Sequence, residues 1–170
     1  MSKICATPEW PFYNEYHNQE YIDFHDCRTS IVLRQEGQKN SPKYQLVNAC
    51  KKEVVKYRID PGVIGTDGKK CDYGVYTEDK RLILVEIKGG DYGHALVQIG
   101  ETVDQLFNKP EVKVDRLDAR VVLTRTPSPD LYRTEEKKLR KKLIVKNIQW
   151  GYRAGEDCLS KGTNMMEESI

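Results

Sequence analysis

The sequence predicts an α/β (α+β) fold built on a central mixed β-sheet flanked by helices. Three observations lead there. Short apolar runs rich in branched residues, bounded by charged or turn-forming residues, recur along the chain. Two segments carry apolar residues at helical spacing. Their order, strands first and then helix, strand, helix, fits a sheet with helices on its faces.

Taken in order, residues 1 to about 20 are aromatic and proline-containing. Trp10, Pro11, Phe12, Tyr13 and Tyr16 form an arm that either crosses the core or meets a partner. A strand is expected near Ser30 to Arg34, and Gly37 to Pro42 reads as a loop. Tyr44 to Ala49 is short and ambiguous. Lys52 to Ile59 (KEVVKYRI) is a strand, followed by the turn residues Asp60-Pro61-Gly62 and Thr66-Asp67-Gly68. Cys71 to Tyr76 and Leu82 to Lys88 (LILVEIK) are two further strands, joined by the polar stretch Thr77 to Arg81.

Gly89-Gly90 ends the second of these strands and Asp91 caps a helix. In that helix Ala95, Ile99, Val103 and Leu106 make an apolar stripe, with His94, Gln98, Glu101 and Gln105 beside it. Ala119 to Thr124 is a strand. Ser128-Pro129-Asp130 opens a second helix running to about Leu143. Its leucines Leu131, Leu139 and Leu143 point inward, and Lys137, Lys138, Arg140, Lys141 and Lys142 outward. Asn147 to Tyr152 reads as an edge strand. A single domain is expected over 1–154, with its core at about 44–152 and an amino-terminal extension at 1–43. Residues 155–170 are short of core residues and are expected to be a frayed tail.

At 170 residues the chain has the length of one domain. It has no apolar stretch of membrane-spanning length and no signal-peptide core at its amino terminus, so a cytoplasmic protein without a membrane partner is expected. The five cysteines are scattered and the three histidines are not at zinc-ligand spacing. Reduced, mostly buried thiols are expected.

Net charge is only +2, yet residues 109 to 146 hold twelve Lys or Arg against six Asp or Glu. A basic segment of this kind either solvates a helix face or holds a phosphate backbone.

The chemistry concentrates at Asp72 and at Glu86-Ile87-Lys88. If the hairpin turn centres on Asp79-Lys80, Asp72 falls opposite Ile87, next to Glu86 and Lys88. Side chains alternate along a strand, so Leu82, Leu84, Glu86 and Lys88 share one face. A buried strand that ends in Glu-x-Lys, with an aspartate across from it, needs compensation by pairing or by a metal. Glu-x-Lys occurs five times in this charged chain, but only Glu86 follows an apolar strand and has an aspartate at hairpin distance. Two carboxylates and an ammonium so arranged suit a divalent cation and a phosphodiester. An ordinary salt-bridge cluster is the competing reading.

At these residues the chain resembles the PD-(D/E)XK, or restriction-endonuclease-like, nuclease superfamily. The match is closer to a group of small proteins with the pattern KxCDY, ELKG and HAxxQ. The matching residues are Lys70-Cys71-Asp72-Tyr73, Glu86-Ile87-Lys88-Gly89, His94-Ala95 and Gln98, and the likeness covers about residues 50 to 108. Cys71 stands where the name-giving proline of the superfamily would be. The resemblance implies a restriction-endonuclease-like core and a metal-dependent endonuclease. Asp72 and Glu86, with the Ile87 carbonyl, would hold Mg²⁺ or Mn²⁺. Lys88 would orient the attacking water or neutralise developing charge. It also favours a site role for Gln98, while His94 stays open between phosphate contact and solvated face. A further acid from an earlier helix is implied, with Glu20, Glu36 and Glu53 as candidates. The expected partner is nucleic acid, DNA favoured over RNA, bound along Lys137, Lys138, Arg140, Lys141 and Lys142, with a homodimer as one route to specificity. The alternatives are a catalytically idle nucleic-acid-binding module and a non-nucleolytic interaction protein using the aromatic arm.

Overall fold

Both periodicities become packed elements. The computed structural model describes residues 10–35, 37, 42–63, 68–88, 91–123, 133–146, 149–154 and 165–170. The central sheet has six strands: β1 (Ile22–Asp26), β4 (Val54–Arg58), β5 (Tyr73–Thr77), β6 (Arg81–Lys88), β7 (Arg116–Leu123) and β8 (Gln149–Ala154), in the spatial order β1-β4-β5-β6-β7-β8. β1, β4, β5 and β6 pair antiparallel, whereas β6/β7 and β7/β8 pair parallel. The sheet is therefore mixed, as the sequence predicts. Parallel neighbours need crossovers. These are α2 (Tyr92–Leu106), between β6 and β7, and α3 (Arg133–Val145), between β7 and β8.

The expected helices on both faces are corrected. α2, α3 and the short α1 (Pro11–Glu15) send their buried residues into one core, on one face of the sheet. The other face is covered by a second sheet, with β3 (Lys43–Val47) between β2 (Ser30–Arg34) and β9 (Met165–Ser169). β6 explains why two layers are needed. Leu82 and Leu84 enter the helix-side core with Ala95, Ile99, Val103 and Leu106. Ile83, Val85 and Ile87 enter the other core with Ile31, Leu33, Tyr44, Leu46 and Met166. From Leu82 to Ile87 no side chain is more than 1% exposed. Each such aliphatic side chain contributes about 1.5–3 kcal/mol by leaving water.

Several expectations shift. Residues 165–169, expected within a frayed tail, form β9, and Lys43 pairs with Met165 in parallel. The reason is local: Met166 points into the inter-sheet core, while Glu168 reaches Arg120 at 3.0 Å. Residues 155–164 lie outside the described residues. The amino-terminal extension is integral, because it supplies β1 to the central sheet and β2 to the second. Its aromatic arm packs across the protein's own core. Phe12 is fully buried against Tyr57 and Tyr76, and Trp10 meets Tyr76 edge-on with ring centres 5.6 Å apart. Tyr44 to Ala49, left ambiguous by the sequence, holds β3. Cys27 and Cys50 are exposed and Cys71 is buried, so burial of the thiols is not general. Among the described residues no helix is long and apolar enough to cross a membrane.

Candidate active site

The carboxylates are brought together by a hairpin whose register differs from the expectation by one residue. Tyr73 pairs with Val85 and Gly74 with Leu84, so continuing the ladder sets Asp72 opposite Glu86, not Ile87. The loop has three residues, Glu78-Asp79-Lys80, and the third is left-handed, with Lys80 at φ 58°. Such a loop, a turn closed by a left-handed residue, is a common hairpin connection. The Lys80 amide closes it on the Thr77 carbonyl at 2.9 Å. The shift tightens the site, since cross-strand partners share a face.

Two hydrogen bonds lock the pair. The Asp72 amide donates to Glu86 Oε2 at 3.0 Å, and the Ile87 amide donates to Asp72 Oδ2 at 3.0 Å. Each carboxylate thus grips the other strand's backbone. An extended residue turns its N–H and C=O to the same side. The Ile87 carbonyl therefore faces the edge on which Asp72 lies. Glu86 is fully buried and Asp72 half-buried. Lys88 ends β6, and its side chain lies outside the described residues.

α2 rivets the Asp72 segment in place. Gln98 Nε2 donates to the Lys70 carbonyl at 2.8 Å. Thr102 Oγ1 accepts the Cys71 amide at 2.8 Å and donates to the Gln98 carbonyl at 2.8 Å. Gln98 is only 8% exposed, and its Oε1 is buried with no hydrogen-bond partner among the described residues. The structure thus gives Gln98 a positioning role and leaves one acceptor unused. His94 is exposed in the first turn of α2, its amide held by the Asp91 cap at 3.0 Å. The Cys71 thiol is pushed far above its ordinary value, first by burial and then by the charges of Glu86 and Asp72.

The further-acid candidates separate. Glu53 stands at the far end of β4, where it bonds His25 Nε2 at 2.6 Å and its amide meets Glu78 at 2.9 Å. It pairs with the hairpin loop and is removed from the candidates. Glu36 lies outside the described residues. Glu20 sits in a helical turn, Gln19–Tyr21, whose Glu20 carbonyl accepts from Arg58 at 2.7 Å, so it lies at the Asp72 end of the sheet. Among the described residues no three His, Cys, Asp or Glu side chains converge as a metal site. Asp72, Glu86 and the Ile87 carbonyl offer hard oxygens of the kind that Mg²⁺ and Mn²⁺ accept.

Sequence reasoning missed two neighbours. Asp60, read as turn chemistry, sits in one wide helical turn, Ile59–Val63, where the Ile59 and Asp60 amides donate to the Asp72 carbonyl at 3.0 and 3.4 Å. Lys70, quoted in the motif without a role, is 3% exposed and lies 3.5 Å from Asp60. The one signal was the closeness of Lys70 to Asp72 in sequence.

The basic helix α3 runs alongside α2 in the same direction. Tyr92 OH bonds Glu136 at 2.7 Å near the starts of both helices, and Lys146 Nζ reaches the Phe107 carbonyl at 3.3 Å at their ends. Lys137, Lys138, Arg140 and Lys141 are exposed. Along the axis they fall within roughly 8 Å of the level of Glu136. Lys142 departs from the outward set: it lies over Gly100 and pairs with Asp104 at 2.5 Å. It neighbours Leu143, which packs inward, so its stem is drawn across α2.

No family model matches the chain, and neither a curated protein nor a solved structure matches it.

Proposed function

We propose that the protein is a metal-dependent nuclease that hydrolyses phosphodiester bonds of nucleic acid, DNA favoured over RNA. The observation that carries this reading is the reciprocal lock between Asp72 and Glu86 at the end of a buried strand. Two carboxylates fixed side by side by the main chain are a donor pair of the kind a divalent cation takes. The restriction-endonuclease-like character of the core belongs to the same proposal.

Asp72 and Glu86, with the Ile87 carbonyl, would hold Mg²⁺ or Mn²⁺. Such an ion, when bound, polarises a phosphoryl oxygen and lowers the pKa of a water. The chain's own residues do the rest. Gln98 and Thr102 fix the segment that carries Asp72. The buried Gln98 Oε1 is an acceptor able to orient a water's proton. Lys88, at the end of β6, supplies positive charge for the phosphorane. Lys137, Lys138, Arg140 and Lys141 hold the backbone phosphates beyond the cleaved bond, and His94 contributes from the first turn of α2.

The test is purified protein against plasmid, linear duplex, single-stranded DNA and RNA, with Mg²⁺, Mn²⁺ or chelator. Cleavage that needs the ion and is lost in Asp72→Asn supports the reading. Binding without cleavage in Mn²⁺ would assign the protein to idle nucleic-acid-binding modules. No binding at all would favour an interaction protein.

A further inference from the structure

A cavity of about 350 Å³ opens between the end of α3 and the connector that joins α2 to β7. Phe107, Val112 and Val114 give it an apolar floor, and Lys109, Lys113 and Lys146 also line it. That volume falls at the low end of small-molecule sites, about 300–1,000 Å³, whose usual make-up is an apolar lining with a few polar groups. The walls are built in. Phe107, Val112 and Val114 are buried members of the helix-side core, and Phe107 packs on Phe12 with ring centres 5.9 Å apart. The Val112 amide closes a turn on the Lys109 carbonyl at 3.2 Å. The Asp115 amide donates to the Lys80 carbonyl at 2.9 Å, which puts the connector at the hairpin-loop end of β6. Glu86 stands toward the other end of that strand, about 17 Å along it from Arg81. The cavity is therefore distinct from the candidate active site.

Its charges do not cancel. No acidic residue lines the cavity among the described residues. Lys109 is matched from outside: its ammonium bonds the Glu15 carboxylate, and Glu111 adds negative charge near it. Lys113 is exposed and has no ion-pair partner among the described residues. Lys146 makes one bond, to the Phe107 carbonyl at 3.3 Å. Phe107 is the C-cap of α2, where the helix dipole is negative, so Lys146 answers that end. An ammonium has three donors, and two of them remain. Capping thus explains one bond of Lys146 and leaves Lys113 and the cavity unexplained. Two unpaired ammoniums beside an apolar floor suit a dianion with an apolar body. A phosphate monoester carries about −1.5 to −2 charge at neutral pH and offers strong acceptor oxygens. A carboxylate supplies one charge only, and inorganic phosphate leaves the floor uncovered.

We infer that this cavity is a site for a small phosphate monoester with an aromatic body, of the class of a nucleoside monophosphate. The phosphate pairs with Lys113 and Lys146, and the ring covers Phe107, Val112 and Val114. Burial of that apolar surface supplies binding that a bare phosphate lacks. No covalent bond changes. The site is independent of the proposed cleavage chemistry and needs no metal. Its walls come from the ends of α2 and α3. An occupant therefore ties the two helices together at the end opposite to the Tyr92–Glu136 bond.

Calorimetric titration of the full chain in chelator tests this, with adenosine monophosphate and phenyl phosphate as probes. Adenosine, benzoate and inorganic phosphate are the comparators. Both esters should bind, each about tenfold more tightly than any comparator. Lys113→Gln and Lys146→Gln should each weaken them about tenfold, the loss of one charge-assisted hydrogen bond. Glutamine keeps a donor for the Phe107 carbonyl, so the end of α2 stays capped. Should Lys146→Gln lose its fold, Lys113→Gln, a surface change, decides alone. Lys51→Gln, which removes an exposed lysine between β3 and β4, should change nothing. Asp72→Asn should bind the esters as the parent does. No heat and no rise in melting temperature with either ester at millimolar concentration would overturn the inference. So would inorganic phosphate binding as tightly as the esters, or equal weakening by Lys51→Gln, since either reports charge alone. Benzoate as tight as phenyl phosphate would overturn the phosphate assignment. Loss of binding in Asp72→Asn would move the ligand to the candidate active site and overturn the inference as well.

Discussion

Glu86 Oε2 lies 3.0 Å from the Asp72 amide nitrogen, so the buried glutamate positions the aspartate as well as offering a ligand. The two roles separate by substitution. Glu86→Gln keeps an acceptor for the amide and removes the charge. Glu86→Ala removes both. We expect calorimetric titration with Mn²⁺ to show no binding in either variant. Thermal unfolding should leave Glu86→Gln near the parent. Glu86→Ala should lose about 1–3 kcal/mol, the cost of a buried donor left unsatisfied. Parent-like Mn²⁺ heats in Glu86→Gln would remove the residue from the ligands.

Gln98→Leu should act through position. It deprives the Lys70 carbonyl of its donor, and about 1 kcal/mol of stability should go with it. The cleavage rate should fall more than the affinity for DNA, since Asp72 loses its support while the basic helix is untouched. A variant with kcat intact and KM raised would make Gln98 a binding residue instead.

Lys137, Lys138 and Lys141 should carry the salt dependence of nucleic-acid binding. Each phosphate contact contributes about one log unit of affinity per log unit of salt. The triple glutamine variant should therefore flatten the slope for all sequences alike and leave Mn²⁺ binding unchanged. Lys142→Gln, which breaks the Asp104 pair, should alter stability slightly and the slope hardly at all. An unchanged slope in the triple variant would show that the substrate path runs elsewhere.

Acid stability should depend on Asp118. Burial alone would push its carboxyl upward. Hydrogen bonds from Arg116 and Arg81, with the charges of Arg81 and Arg120, outweigh burial and hold it below the ordinary carboxylate value. A depressed value in the folded state means stability present above the unfolded pKa of about 3.9 and lost as pH falls through the folded value. The parent's melting temperature should drop over that acid range, and that of Asp118→Asn should drop less. At neutral pH the variant should be less stable by about 3 kcal/mol, because three arginines lose their shared buried counter-charge. Parallel pH profiles would show that the cluster does not titrate with the fold.

Alkylation by iodoacetamide, mapped by mass spectrometry, should label Cys27 and Cys50 in the folded protein and spare Cys71. The thiolate is the reactive form, and burial among negative charges suppresses it at Cys71. Labelling of Cys71 at the rate of Cys50 would mean that the contact between the Cys71 segment and α2 opens readily.

What was legible in the sequence was local. β6 and α2 announce themselves by unbroken periodicity and by Asp91 at the cap. The pairing of Asp72 with the end of β6 follows from hairpin length, but its register does not. A left-handed Lys80 has no glycine to signal it, and one residue of loop moves Asp72 from Ile87 to Glu86. β1 (IDFHD) has a polar composition and becomes a strand only because β4 offers an edge. β7 begins earlier than its apolar run, at Arg116, because its charges meet partners from other strands. Asp118 takes Arg81 from β6, and Arg120 takes Glu168 from β9. Lys70 and Asp60 meet only through tertiary folding, so neither residue type nor spacing points to their pairing.

The parallel pairing of Lys43 with Met165 also bears on the order in which the chain can fold. During synthesis β2 and β3 emerge early and can close as a hairpin at once. The third strand of their sheet is made only after the central sheet and both long helices have left the ribosome. Until then Tyr44 and Arg120 lack the carboxylate of Glu168, and the face of the hairpin that receives β9 stays open. Pairings between distant segments form late. A nascent chain stalled after β8 would therefore carry the Asp72–Glu86 hairpin on a body that is not yet closed. Its last closing step would be the insertion of one short strand beside β3.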